Sequence, residues 1–258
     1  MDRKTNLASI IRYLMVDDHV SHQIPSSLEE RLLMMRALSN VWEPRPLSDE
    51  FLQKQDAELK LQREAKGVVT LRDVEAADAR HRAVDDGLLL WQGDITRLQV
   101  DAIVNAANAQ ALGCWSPLHN CIDNCIHSAA GLQLRRECAA IMQGRLLATG
   151  DAFITRGYNL PARHVIHTVG PIVPDGMPTR AQEEQLAQCY RSCLGLAEQH
   201  GLASIAFCCI STGVFRFPNR RAAEIAVETV RAFPRNTLKT VVFNVFLDKD
   251  RDIYQQLV

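Results

Sequence analysis

The apolar positions change period part-way along the chain. Residues 7–16 and 26–38 carry apolar side chains at helical spacing, and the second run is opened by Ser26 and Ser27 with Glu29 and Glu30 in its first turn. Pro44 and Pro46 hold the segment after Trp42 extended, and Ser48, Asp49 and Glu50 open a third helix running towards Lys66. The stretch 66–87 is charged and ambiguous, with Ala-rich, helix-like pieces. From Leu88 the pattern is different. Short apolar runs of strand length occur at 88–91, 102–105, 151–155, 164–168, 204–210 and 240–246, several of them continuous rather than alternating. Helical stretches lie between them at 124–142, 179–199 and 219–233, and 248–257 reads as a closing helix. Strands alternating with helices predict an α/β layered domain with a largely parallel or mixed sheet, whose ligands collect at the C-terminal ends of the strands.

Composition places a boundary on this pattern. None of the 13 glycines falls in residues 1–66, so the chain is read as a helical N-terminal extension, 1–66, and a main domain, 67–258. Three short helices rarely bury enough surface alone, so the extension is expected to pack on the domain as scaffold or lid, without a catalytic residue. A formal charge of -1 argues against a broad nucleic-acid or membrane-surface footprint. With no long uncharged apolar run, and charges where a signal peptide needs an apolar stretch, a soluble, cytoplasmic protein is expected. The eight cysteines all lie between Cys114 and Cys209, with Cys208 and Cys209 adjacent in an apolar run, which favours reduced thiols over disulfides.

The densest chemistry lies in residues 113–131, GCWSPLHNCIDNCIHSAAG. Cys114, His119 and Cys121 put two sulfurs and an imidazole into one short loop that Pro117 helps to bend. Soft ligands at this density suit a zinc ion, and three protein ligands with an open position describe a catalytic rather than a structural site. Cys125 is the candidate to close the site as a fourth ligand, but one helical turn beyond Cys121 it is better read as a small side chain on the buried face. Asp123 stands at the start of the following helix as a candidate general base. The Ser211-Thr212-Gly213 turn after the fifth strand offers successive N–H groups to a phosphate, although an ordinary strand-to-helix turn has the same look.

Taken in order, Gly-Asp-Ile-Thr at 93–96, Val-Asn-Ala-Ala-Asn at 104–108, Ile-Asp-Asn-x-Ile-His-x-Ala-Ala-Gly at 122–131, Thr-Gly-Asp-Ala-Phe-Ile-Thr at 149–155, His-Val-Ile-His-Thr-Val-Gly-Pro at 164–171 and Ile-Ser-Thr-Gly-Val-Phe at 210–215 resemble the macrodomain family. The metal loop and the glycine-free leader make the chain similar to the zinc-containing microbial subgroup. The resemblance implies a three-layer macrodomain fold, with a mixed central sheet flanked by helices. It implies that Asp94, helped by the Ile95 backbone, accepts from the adenine amino group. It also implies that Asn105 and Asn108 frame the distal ribose, that Ser211, Thr212, Gly213, Val214 and Phe215 hold the diphosphate, and that Phe246 packs near the adenine. Asp123 keeps the family's catalytic aspartate position, with Asn108 beside it, while Cys114, His119 and Cys121 replace a glycine-rich loop and hold one zinc ion. Arg216 stands where the phosphate turn usually has glycine, either clamping phosphate or pointing to solvent.

The reaction implied is hydrolysis of the bond between mono-ADP-ribose and an acidic side chain of a modified protein. Asp123 would act as general base or would orient a metal ligand. A lipoyl-carrier protein and a sirtuin-type transferase are the partners the resemblance implies. His127, His164 and His167 read as satisfied core histidines. Two alternatives stay open: an ADP-ribose reader with a structural zinc, and an O-acetyl-ADP-ribose deacetylase. A zinc deaminase of nucleosides is disfavoured, because His-x-Glu with a distant Pro-Cys-x-x-Cys is missing.

Overall fold

The computed structural model describes residues 2–15, 23–78 and 87–258. It opens with three helices, α1 (Arg3–Leu14), α2 (Leu28–Asn40) and α3 (Asp49–Lys66), each started by a side chain that accepts from the first-turn backbone: Asp2, Ser27 and Ser48 respectively. α1 begins four residues before the predicted run, and Val16 lies outside the described residues. The ambiguous stretch after Lys66 contains β1 (Val69–Thr70) and α4 (Leu71–Ala77), the latter fixed by a reciprocal Thr70–Asp73 cap, and 79–86 fall outside the described residues.

The main domain continues through β2 (Leu88–Gln92), a 3-10 turn (Ile95–Arg97), β3 (Leu98–Gln99), β4 (Ala102–Ala106), α5 (Ile122–Ala130), α6 (Leu132–Met142), β5 (Ala152–Arg156) and β6 (His164–Thr168). It ends with α7 (Arg180–Gln199), β7 (Ser204–Phe207), α8 (Asn219–Ala232), β8 (Thr240–Val245) and α9 (Asp248–Tyr254). Among the described residues, six strands form one sheet in the order β2-β8-β7-β4-β6-β5, and β1 and β3 form a small parallel pair. All neighbours in the larger sheet run parallel except β5, which closes one edge antiparallel to β6. The expected mixed α/β sheet flanked by helices is therefore present. Its continuous apolar runs follow from burial on both faces: Ala102, Ile103, Val104 and Asn105 of β4 are all fully inaccessible.

The closing helix expected over 248–257 ends at Tyr254, and two other elements differ for reasons the structure shows. The run 124–142 is two helices, because Gly131 takes φ 97° between them. A Cβ at Gly131 would lie 2.7 Å from Gln133 Oε1 and 2.8 Å from Gln55 Nε2, so the close approach of α3 requires glycine there. The fifth strand stops at Phe207 rather than Ile210: the chain leaves the sheet while Cys208 and Ile210 stay buried, so the apolar run outlasts the strand.

The three leading helices share a second apolar cluster of Leu7, Ile10, Ile11, Met35, Trp42 and Phe51 with neighbours, which reaches the main domain at Leu132. Polar contacts complete this junction. Gln55 Oε1 accepts from the Leu132 N–H at 3.0 Å, Gln55 Nε2 donates to Gln133 Oε1 at 2.6 Å, and Asp56 Oδ1 accepts from Gln133 at 2.8 Å and Asn159 at 2.7 Å. No helix of the described residues is long and apolar enough to cross a membrane.

Candidate functional site

The loop that carries Cys114, His119 and Cys121 leaves β4 and returns at the start of α5. The Cys114 and Cys121 sulfurs and a His119 ring nitrogen all lie within 4.8 Å of one another, and Cys114 Sγ is 3.6 Å from His119 Nδ1. A tetrahedral zinc, with bonds of about 2.3 Å to sulfur and about 2.0 Å to nitrogen, sets that separation at roughly 3.5 Å, so the donors fit the ion. Cys121 caps α5, accepting from the Asn124 N–H at 3.4 Å. Burial, and then the Cys114 sulfur beside it, push the Cys121 thiol up to about 12 against the Asn124 contact that favours thiolate. Cys125 stands outside this group. It is half-buried rather than packed into the core, and Arg36 Nη2 lies 3.9 Å from its sulfur.

Directly behind the loop, Asp123 is buried in the first turn of α5. Its Oδ1 accepts from Asn105 Nδ2 at 2.8 Å and its Oδ2 from Asn108 Nδ2 at 3.4 Å. Burial raises the Asp123 carboxyl to about 6, with the Asn105 bond and the Arg135 charge opposing the shift. Asn105 lies beneath this carboxylate, with no accessible surface, and also reaches His167 Nδ1 at 3.2 Å. Asn108 holds the turn before the loop of Cys114, His119 and Cys121, donating to Gly113 O at 3.1 Å and accepting from the Ala111 N–H at 3.1 Å. His167 Nε2 meets Thr155 Oγ1 at 2.9 Å, so with Asn105 donating to Nδ1 the neutral ring donates from Nε2. His127 differs from the satisfied core histidine expected of it. It is buried 3.6 Å from Asp123 Oδ1, yet neither ring nitrogen has a hydrogen-bond partner.

A groove of about 570 Å³ runs from α5 to the far end of β2. Asp94 lies in its wall at the head of the 3-10 turn, accepting from the Thr96 N–H at 3.0 Å and the Thr96 hydroxyl at 2.6 Å, and pairing with Lys66 at 3.1 Å. Burial would raise the Asp94 carboxyl, but Thr96 and Lys66 together hold it below its ordinary value. Ile95 follows in the same wall, and Phe246, 72% exposed, stands at the rim. The turn 211–215 follows β7. Ser211 takes φ 66° with its buried hydroxyl unpartnered, and among the described residues the N–H groups of Gly213, Val214 and Phe215 donate to nothing. Thr212 Oγ1 turns back to Cys209 O at 3.0 Å, and Arg216 reaches the Pro174 carbonyl at 3.3 Å on the exposed side.

A family model described as Macro domain matches residues 104–226. A protein-ADP-ribose hydrolase of Staphylococcus aureus (strain MSSA476) is 48% identical over 98% of this chain and 96% of its own length. The chain belongs to the macrodomain family. A protein-ADP-ribose hydrolase of Treponema medium is 47% identical, with both chains covered completely. Among solved structures, this macrodomain is similar to the Trypanosoma brucei macrodomain in complex with ADP-ribose, with TM-score 0.66 and 33% identity over 82% of this chain and 91% of that one. It is also similar to the Oceanobacillus iheyensis macrodomain with ADP, with TM-score 0.60 and 40% identity over 67% of this chain and 90% of that one.

Reasoning from sequence missed what the leader adds to this macrodomain. Leu32, Leu33, Arg36, Arg63 and Lys66 from α2 and α3 line the groove opposite the sheet, and Lys66 is bonded to Asp94 itself. No motif announces these residues, because their position depends on how the leader docks. The buried group His127, Cys138 and His167 also brings its ligand atoms within 4.8 Å of one another. Both nitrogens of His167 are already engaged, so His167 with Asn105 and Thr155 forms a hydrogen-bonded floor under Asp123, while His127 stands beside it without a hydrogen-bond partner.

Proposed function

We propose that this macrodomain protein hydrolyses the bond joining mono-ADP-ribose to an Asp or Glu side chain of a modified protein, with one zinc ion held by Cys114, His119 and Cys121. The observation that carries the reading is the buried Asp123 carboxylate, set two residues from Cys121 and held on both oxygens by Asn105 and Asn108. When bound, the zinc supplies Lewis acidity towards a sugar or ester oxygen, moderated by the charge of the two thiolates. The names of the relatives, protein-ADP-ribose hydrolases, support the same reaction.

The chain's own residues divide the rest of the work. Asp94 and the Ile95 backbone receive adenine, the carboxylate favouring an amino donor over the carbonyl that guanine presents. The free N–H groups of Gly213, Val214 and Phe215, with Ser211 and Thr212 in the same turn, hold the diphosphate. Asn108 bonds the distal ribose, and Asn105 acts from below by aiming Asp123. Asp123, near neutral in pKa, takes a proton from the attacking water. Water adds across the bond between the sugar and the carboxyl oxygen, leaving ADP-ribose and a free carboxylate. The lipoyl-carrier protein and sirtuin-type transferase implied by the resemblance are proposed partners of this reaction, and 1–66 and 67–258 its proposed division into leader and macrodomain.

Asp123→Asn tests the assignment on a protein mono-ADP-ribosylated at Asp or Glu. Release should fall about 100-fold or more while ADP-ribose affinity stays near wild type. Equal release by the variant would remove Asp123 from the chemistry. O-acetyl-ADP-ribose offers a sugar ester to the same site, so deacetylation is the second reading, and it should respond to Asp123→Asn in parallel.

A further inference from the structure

We propose that the N-terminal leader is the clasp of the metal loop: Arg36 and Asn40 of α2, with Arg135 behind them, hold residues 114–121 in the shape that brings the three ligand atoms together. The inference rests on the metal reading above and assigns to the leader a role that a scaffold or lid does not have.

The loop has little structure of its own. Its internal backbone support is a His119 N–H to Ser116 O contact at 3.2 Å, and Leu118 takes φ 59°, a conformation a branched side chain adopts only when held. His119 itself is exposed. The leader grips the chain on both sides of this ligand. Asn40 Oδ1 accepts from the Leu118 N–H at 3.0 Å, and Arg36 Nη2 donates to the His119 carbonyl at 2.9 Å. Residues 36 and 40 are one helical turn apart, so a single face of α2 presents both contacts. The same Arg36 nitrogen donates to Asn124 Oδ1 at 3.0 Å, joining the loop to the first turn of α5, where Cys121 is the cap.

The Cys114 end is tied separately. Trp115 lies against the Arg135 guanidinium, 4.3 Å from the ring centroid, and Arg135 Nη1 donates to the carbonyls of Ser39, Asn40 and Trp42 at 3.2, 2.9 and 2.9 Å. The Cys114 end therefore reaches the C-terminal end of α2 through Arg135, the middle of the loop meets α2 directly at Leu118 and His119, and Asn124 of α5 adds a tie from the main domain, donating to Ser116 O at 3.0 Å. A loop already ordered in the metal-free protein does not lose that freedom when the ion binds, which raises affinity without any new contact to the ion.

Two effects of Arg36 on zinc have opposite signs, which makes the test sharp. As a nearby cation it repels the ion, whereas as a clasp it favours binding. Zinc affinity of the full chain is measured by competition with a chromophoric chelator for wild type, Arg36→Met and Asn40→Ala, alongside amide hydrogen exchange of the segment 113–121 in the metal-free proteins. Arg36 also lines the groove, so zinc affinity rather than turnover is the readout. Each variant should bind zinc about 10- to 100-fold more weakly, the loss expected for a charge-assisted or buried hydrogen bond, and the loop amides should exchange faster while the unfolding midpoint of the main domain changes little. Should Arg36→Met fold poorly, Arg36→Lys, which keeps the charge and loses the planar fork, reads the same quantity. Zinc bound by the Arg36 variants as tightly as by wild type, or more tightly, overturns the clasp alone. A wild type that binds no zinc overturns the clasp and the metal reading together.

Discussion

Acid should destabilise this protein through His167, by an amount that follows from its surroundings. The ring is fully buried, stacks on Phe153 at 4.7 Å, and is held neutral by Asn105 donating to Nδ1 and Thr155 at Nε2. Burial lowers its pKa from 6.5 to about 3. A histidine with a depressed folded pKa contributes stability above its unfolded pKa and loses it as pH falls, because between about 6.5 and about 3 the unfolded chain binds a proton that the folded chain refuses. The slope is about 1.4 kcal/mol per pH unit, or about 2 kcal/mol between pH 7 and pH 5. Denaturant unfolding of wild type and His167→Gln, both metal-free so that the metal's own proton release plays no part, isolates this contribution. The variant should lose about 2 kcal/mol less than wild type over that interval, whatever its stability at pH 7. Identical losses would show that His167 is not the neutral, buried ring described, and would remove the support it lends Asn105 and, through it, Asp123.

Three further perturbations probe separate parts of the molecule. Asp94→Ala should weaken ADP-ribose binding about 10- to 100-fold by titration calorimetry and change the rate at saturating substrate much less; the reverse pattern would remove Asp94 from adenine recognition. Cys121→Ser should release metal, measured by elemental analysis, and abolish turnover while leaving some nucleotide affinity, so full activity without metal would refute a catalytic zinc. Gly131→Ala places a Cβ at positive φ within 2.8 Å of Gln55 and should cost roughly 1–3 kcal/mol in denaturant unfolding; a neutral result would mean that α3 does not dock against this turn.

The sheet was legible because its strands are buried on both faces, which leaves continuous apolar runs bounded by polar loops. Helix starts were legible where Ser27 and Ser48 cap them. What escaped the sequence depends on contacts between distant segments. Gly131 keeps a helical apolar period across a break that the approach of Gln55 makes necessary, and Cys208 and Ile210 stay buried after the chain has left the sheet. Spacing alone singled out Cys114, His119 and Cys121 as a candidate group, and the fold brings their donor atoms within 4.8 Å of one another. Asn105 carried a motif but not its direction: full burial in β4 sends its amide to Asp123 and His167 beneath the groove. Lys66 and Arg36 carried no motif at all, because a basic residue on a helix becomes a groove wall only once that helix has docked.

Release of ADP-ribose from a protein mono-ADP-ribosylated on Asp or Glu, compared between zinc-loaded and chelator-stripped enzyme with ADP-ribose affinity measured in parallel, tests the central claim most directly. Release that requires zinc and returns on adding it back is the predicted result. Tight ADP-ribose binding with no release in either form would contradict it and make this macrodomain a reader with a structural metal.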